Sequence, residues 1–167
     1  MNWTDLLKSD LEAAYHATEG LVKLVEKDKL SWKPATGSNW MTTGQLLHHI
    51  TDACGACCKG FVTGDWGLPA GVEMTMPTAE QLPSVKDPAS ALTMLAADKK
   101  LALEMVAKVG EKDLASKKAS APWDPTEHPL GRQLLHMISH LQQHKGQLFY
   151  YLKLQGKPVN TGNLWGM

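Results

Sequence analysis

Apolar positions recur along this chain at helical spacing. From about Thr4 to Glu26, residues Leu7, Leu11, Ala14, Thr18, Leu21 and Val25 fall every three or four positions with charges elsewhere, which predicts one amphipathic helix. A second helix begins at Thr42-Thr43-Gly44-Gln45, a capping box in which the Thr42 hydroxyl serves the amide of the third helical residue and Gln45 reaches back. It is expected to continue to Phe61. The third opens with Asp87 as cap and Pro88 at the first helical position, shows Leu92, Leu95, Ala102, Val106 and Val109 on one side, and stops at Gly110. The fourth starts near Pro129 and ends at Gly156, with Pro158 beyond it.

Residues 62–86 hold Gly64, Gly67, Pro69, Gly71, Pro77 and Pro83 without strand periodicity. A connection of this length crosses the bundle so that the second and third helices run the same way, or covers a site, or does both. Two separate helical hairpins would also satisfy the pattern, but a four-helix bundle buries the stripes more economically. The expected fold is therefore all-α, a four-helix bundle with a long crossover between helices 2 and 3, forming one domain over residues 1–167.

The fourth helix carries the chemistry. In His136-Met137-Ile138-Ser139-His140-Leu141-Gln142-Gln143-His144 the histidines are four residues apart, so neighbouring imidazoles share a face about 6 Å apart. Two of them can chelate a divalent metal, and a third histidine from another helix would complete three nitrogen ligands. At about 100° per residue, His140 and His144 flank the apolar stripe of Leu134, Met137, Leu141, Leu148 and Leu152, whereas His136 lies about 140° from its centre. His136 therefore faces solvent or backs a ligand. On the second helix, His49 lies inward between Leu46 and Ala53, and His48 shares its face with Asp52, its expected partner. Asp52, one turn past His49, is alternatively an acceptor for a ligating imidazole, or a surface acid. His16, His48 and His128 read as structural.

Other metal architectures fail on what is missing. A di-iron carboxylate bundle needs Glu three residues before its histidines, where this chain has Leu46, Met137 and Leu141. No His-Glu-x-x-His of a metalloprotease occurs. Cys57 lies about 12 Å beyond His49 on a continuous helix, too far to share an ion. The expected site thus has three histidines, His49, His140 and His144, with open positions for water or substrate.

Composition narrows the partners. Seventeen basic and seventeen acidic residues balance, leaving no field to gather a nucleic-acid backbone, so nucleic acid is not an expected partner. The N-terminus lacks a signal pattern and no run of about twenty apolar residues occurs, which gives the expectation of a cytoplasmic protein without a membrane partner. Cys54, Cys57 and Cys58 crowd into one predicted helix; with no distant partners they form no disulfide framework. The Cys54-x-x-Cys57 pair lacks both the strand-to-helix setting of a redox motif and the second pair of a zinc site, and reads as small residues that let helices approach.

Three segments resemble the DinB-like (DinB/YfiT) superfamily of metal-binding helical proteins: Trp32-Lys33-Pro34, Trp40-Met41-Thr42-Thr43-Gly44-Gln45-Leu46-Leu47-His48-His49-Ile50, and Ser139-His140-Leu141-Gln142-Gln143-His144-Lys145-Gly146-Gln147-Leu148. The tail, Tyr151 to Pro158, looks like the family's closing segment. The family's last motif usually reads His-Arg-Gly-Gln, so Lys145 departs from it at a flanking residue. The resemblance implies a four-helix bundle with a long crossover and a metal held by one histidine of the second helix and two of the last, here His49, His140 and His144. It further implies a metal-dependent hydrolase, or a transferase or isomerase using a low-molecular-weight thiol, in which the metal activates water or the thiol against a small-molecule substrate. Zinc or nickel is the expected ion, with iron or manganese as alternatives, and a homodimer is expected by analogy. The competing reading is a binding protein that holds a metal or small ligand without turnover. Catalytic residues beyond the ligands are not specified, although Trp66, Met74, Met76 and Trp165 are candidates for the mouth of the site.

Overall fold

Asn2 opens the first helix, its side-chain oxygen accepting from the Asp5 amide at 2.8 Å, and α1 runs Trp3–Val22. The computed structural model describes residues 2–67 and 77–167. A 3₁₀ turn at Lys27–Lys29 leads into an irregular segment, and α2 (Thr43–Ile50) starts on the expected capping box, with Gln45 N donating to Thr42 Oγ1 and Thr42 N to Gln45 Oε1. The side-chain amide of Gln45 also donates to the carbonyls of Ala79 and Leu82 at 2.7 and 3.0 Å. One cap residue thereby anchors the end of the long connection against the start of α2.

The second helix does not continue to Phe61. It is broken over residues 51–54, and α3 (Gly55–Thr63) starts anew. Thr51 closes α2 by folding its hydroxyl onto the His48 carbonyl at 2.6 Å. The fresh start is held from a distance: the carboxylate of Asp98 accepts from the amides of Gly55 and Ala56 at 2.9 and 3.0 Å and from the Tyr15 hydroxyl at 2.6 Å. These amides are the orphan donors of a helix N-terminus, and a buried carboxylate satisfies both their hydrogen bonds and the helix dipole. Glycine is required at position 55, because a Cβ there would stand 2.9 Å from the Asp98 carbonyl carbon.

Asp87 and Pro88 begin α4 (Pro88–Lys108) as expected. A short α5 (Glu111–Ser116) follows, then an antiparallel hairpin of β1 (Lys118–Ala121) and β2 (Asp124–Pro129) that the apolar pattern did not predict. The hairpin reverses at Pro122-Trp123 and is irregular between Ala119 and Ala121. It is mostly exposed, and so small a sheet needs outside support; Gln133 supplies some by donating to the Ala119 carbonyl at 2.8 Å. α6 (Leu130–Leu154) and a terminal α7 (Thr161–Trp165) complete the chain.

The fold is mostly helical. α1 packs against α4 and α6, and α3 packs against the same two from the other side. Buried side chains of α1, α2, α4 and α6, among them Leu7, Leu11, Leu46, Ile50, Leu95, Leu134 and Leu141, form the core. The expected crossover falls partly on residues 68–76, which lie outside the described residues. Among the described residues no helix is long and apolar enough to cross a membrane.

Candidate metal centre

Helical spacing puts His140 and His144 on the flank of the α6 stripe, half-buried, and the inward face of α2 brings His49 to meet them. The three rings converge through one atom type. His144 Nε2 lies 2.8 Å from His140 Nε2 and 3.0 Å from His49 Nε2. Two nitrogens on one tetrahedral zinc-like ion stand about 3.3 Å apart; these two separations fall within about 0.5 Å of that, and all three ligand atoms lie within 4.8 Å of one another.

The far side of each ring faces oxygen. His140 Nδ1 is 3.0 Å from the Ala53 carbonyl, and His144 Nδ1 is 2.7 Å from Gln147 Oε1. His49 Nδ1 faces the Asp52 carboxylate at 3.8 Å. Because a carbonyl only accepts, the proton of neutral His140 sits on Nδ1, and the Gln147 oxygen assigns His144 likewise. Both Nε2 atoms then present lone pairs to each other. His49 can offer one proton to His144, which leaves the His140–His144 contact with none. A cation at the point of convergence satisfies all three lone pairs, so the donor set fits a divalent metal.

Electrostatics favour the same state. Burial, then the His144 and His140 rings, pushes His49 down to about 4. Burial also lowers His144, against the opposing Gln147 hydrogen bond. Both shifts favour the neutral imidazole, the form that ligates.

A family model of the DinB superfamily matches residues 10–148. The chain belongs to the DinB superfamily. Solved structures share its fold: a DinB-like protein from Bacillus cereus, 17% identical, aligns with a TM-score of 0.69 over 92% of this chain and 93% of that one. Another, from Bacillus subtilis, is 18% identical, with a TM-score of 0.66 over 92% and 94%. A candidate DinB-family member from Exiguobacterium sibiricum, 16% identical, aligns over 98% of both chains with a TM-score of 0.68. No curated protein matches the chain.

In this DinB-superfamily chain the histidines expected together are together, while several neighbours differ from expectation. Asp52 faces His49 and not His48 as its nearest ring partner, because the turn after Ile50 carries it out of the helical register that would stack it on His48. His136 is exposed and sits beside His128, ring centroids 6.1 Å apart. His16 meets the Gly166 carbonyl at 3.1 Å and ties the C-terminus to α1.

Beside the imidazoles opens a cavity of about 460 Å³ that Asp52, Ala53, Cys57, Trp66, Leu82 and Trp123 help to line. Trp66 was expected at the mouth; Trp165 instead lies over the Lys145 ammonium, 5.5 Å from ring centre to nitrogen, and is exposed. Met74 and Met76 lie outside the described residues. Cys57 reaches the cavity wall, but burial pushes its thiol up to about 12, so it stays protonated. Three features had gone unread in the sequence. Trp123 arrives on the unpredicted hairpin, and the Ala53 carbonyl is exposed to His140 by the break before α3. Gln147 was readable, since a carboxamide three residues past a ligand reaches the same face.

Proposed function

We propose that the chain is a metal-dependent enzyme in which His49, His140 and His144 hold one divalent cation through Nε2. The observation that carries this reading is the meeting of three Nε2 atoms whose opposite nitrogens all face oxygen. A dication held by neutral imidazoles keeps its charge, and so lowers the pKa of a water or a low-molecular-weight thiol brought to it. Hydrolysis or thiol transfer to an electrophilic small molecule is the matching chemistry, with zinc or nickel as the favoured ion and iron or manganese next.

The chain's own residues divide the remaining work. The Ala53 carbonyl and the Gln147 carboxamide fix the ring orientations of His140 and His144. Asp52, on the cavity wall next to His49, is positioned to take the proton released by the nucleophile. Trp66, Leu82 and Trp123 exclude water from the space beside the ligands. Among the described residues no fourth side chain joins the ligand group, which favours an open, catalytic site over a closed structural one.

The test is turnover on a panel of activated esters, amides and thiol-accepting electrophiles. Turnover should vanish on chelation, return when the ion is restored, and be absent in His144→Ala. Turnover that survives both chelation and His144→Ala contradicts the proposal.

A further inference from the structure

We infer that the cavity beside the three histidines takes a flat, apolar ligand body that carries no negative charge, an inference that rests on the site reading above. The wall offers rings: Trp66 and Trp123 lie 5.3 Å apart edge to face, with Phe61 packed 4.9 Å from Trp66. Trp66 is fixed in place by lying on Gly60, where a Cβ would fall 2.6 Å from ring atom Cζ3. Trp123 stands in the hairpin turn with 38% of its surface open, so one ring is a rigid wall and the other an accessible edge. A volume of about 460 Å³ lies within the ordinary range of small-molecule sites.

Charge sets the class more sharply than shape. Among the described residues the cavity lining contains no lysine or arginine, and its one acid is Asp52. The nearby cation on α3, Lys59, is paired with Asp65 at 2.6 Å. At the Trp66–Trp123 end of the cavity, away from the ion that His49 and His140 would hold, a carboxylate or phosphate on the ligand body would therefore be desolvated without a protein counter-charge. Aromatic faces with an acid nearby accept a neutral or cationic body instead.

The probes are imidazole, 4-phenylimidazole and 4-(imidazol-4-yl)benzoate, titrated by calorimetry into the protein as purified, with metal content measured on the same sample. The phenyl ring should tighten binding about thirtyfold over imidazole. The carboxylate should lose at least tenfold of that gain, and Trp123→Ala should weaken phenylimidazole about fivefold more than it weakens imidazole. If the protein holds metal but phenylimidazole binds no better than imidazole, or the benzoate binds as well as phenylimidazole, this inference is overturned and the metal reading stands. If it holds no metal, the same comparison on that protein decides: a retained preference for the phenyl ring keeps the cavity inference while the metal reading fails, and no preference overturns both.

Discussion

Replacing Asp98 with asparagine tests whether a carboxylate on α4 shapes the candidate site. Both oxygens of Asp98 are in use, Oδ2 by the Gly55 amide and the Tyr15 hydroxyl, Oδ1 by the Ala56 amide. In Asp98→Asn one of these becomes an NH₂ that faces a donor, so at least one hydrogen bond at the start of α3 is lost and a buried amide is left unpaired. A charge-assisted bond contributes about 1.5–3 kcal/mol, and an orphaned buried group costs about 1–3 kcal/mol. Burial raises the pKa of Asp98, which means that removing the charge returns part of that. A net loss of about 2–3 kcal/mol remains, equivalent to a fall in Tm of about 5–10 °C for a chain of this size. Because the same break exposes the Ala53 carbonyl to His140, metal affinity should also fall tenfold or more. Tyr15→Phe removes one donor and leaves both amides capped, so it should cost about 1 kcal/mol and leave metal affinity unchanged. Thermal unfolding and a competitive metal titration read both quantities. Asp98→Asn with wild-type Tm and wild-type affinity would refute the claim that this carboxylate holds the break.

Two further outcomes follow from the geometry. Gln147→Ala removes the acceptor behind His144 from an exposed position; it should lower metal affinity about 10–100-fold with little change in Tm, as read by competition against a chromophoric chelator. In metal-free protein, His49 is held down at about 4 against an ordinary value of 6.5, so its contribution to stability is complete above about 6.5 and is lost as pH falls toward about 4, because the unfolded chain takes up a proton that the folded site refuses. With 31% of the side chain exposed the loss is about 2 kcal/mol. Urea unfolding across that range should show a larger loss in wild type than in His49→Gln, where His144 alone of the lowered pair remains, and equal pH dependence in the two proteins would contradict the assignment.

Much of this site can be read from local sequence because it depends on helical phase. His140 and His144 flank a stripe set by Leu134, Leu141 and Leu148, and His49 follows from the inward face of α2, so angles alone bring the right rings together. Caps are equally local, as Thr42 with Gln45 and Asp87 with Pro88 demonstrate. The break at residues 51–54 is not local. Its apolar periodicity continues and it contains neither proline nor glycine; the restart that follows it is held by Asp98, 43 residues beyond Gly55, and with it comes the Ala53 carbonyl. The hairpin was invisible for a different reason: its strands are short and exposed, so no apolar alternation marks them. Trp123, carried to the cavity on that hairpin, had no signal in its own neighbourhood.

The central claim is that three histidines hold one metal ion, and elemental analysis of metal per chain tests it directly. Untagged protein purified without chelator or added metal is compared with His49→Ala, His140→Ala, His144→Ala and, as a control, His48→Ala. The geometry predicts close to one equivalent in wild type and His48→Ala and almost none in the other three. No metal in wild type even after reconstitution, or metal lost in His48→Ala and kept in His49→Ala, would contradict it.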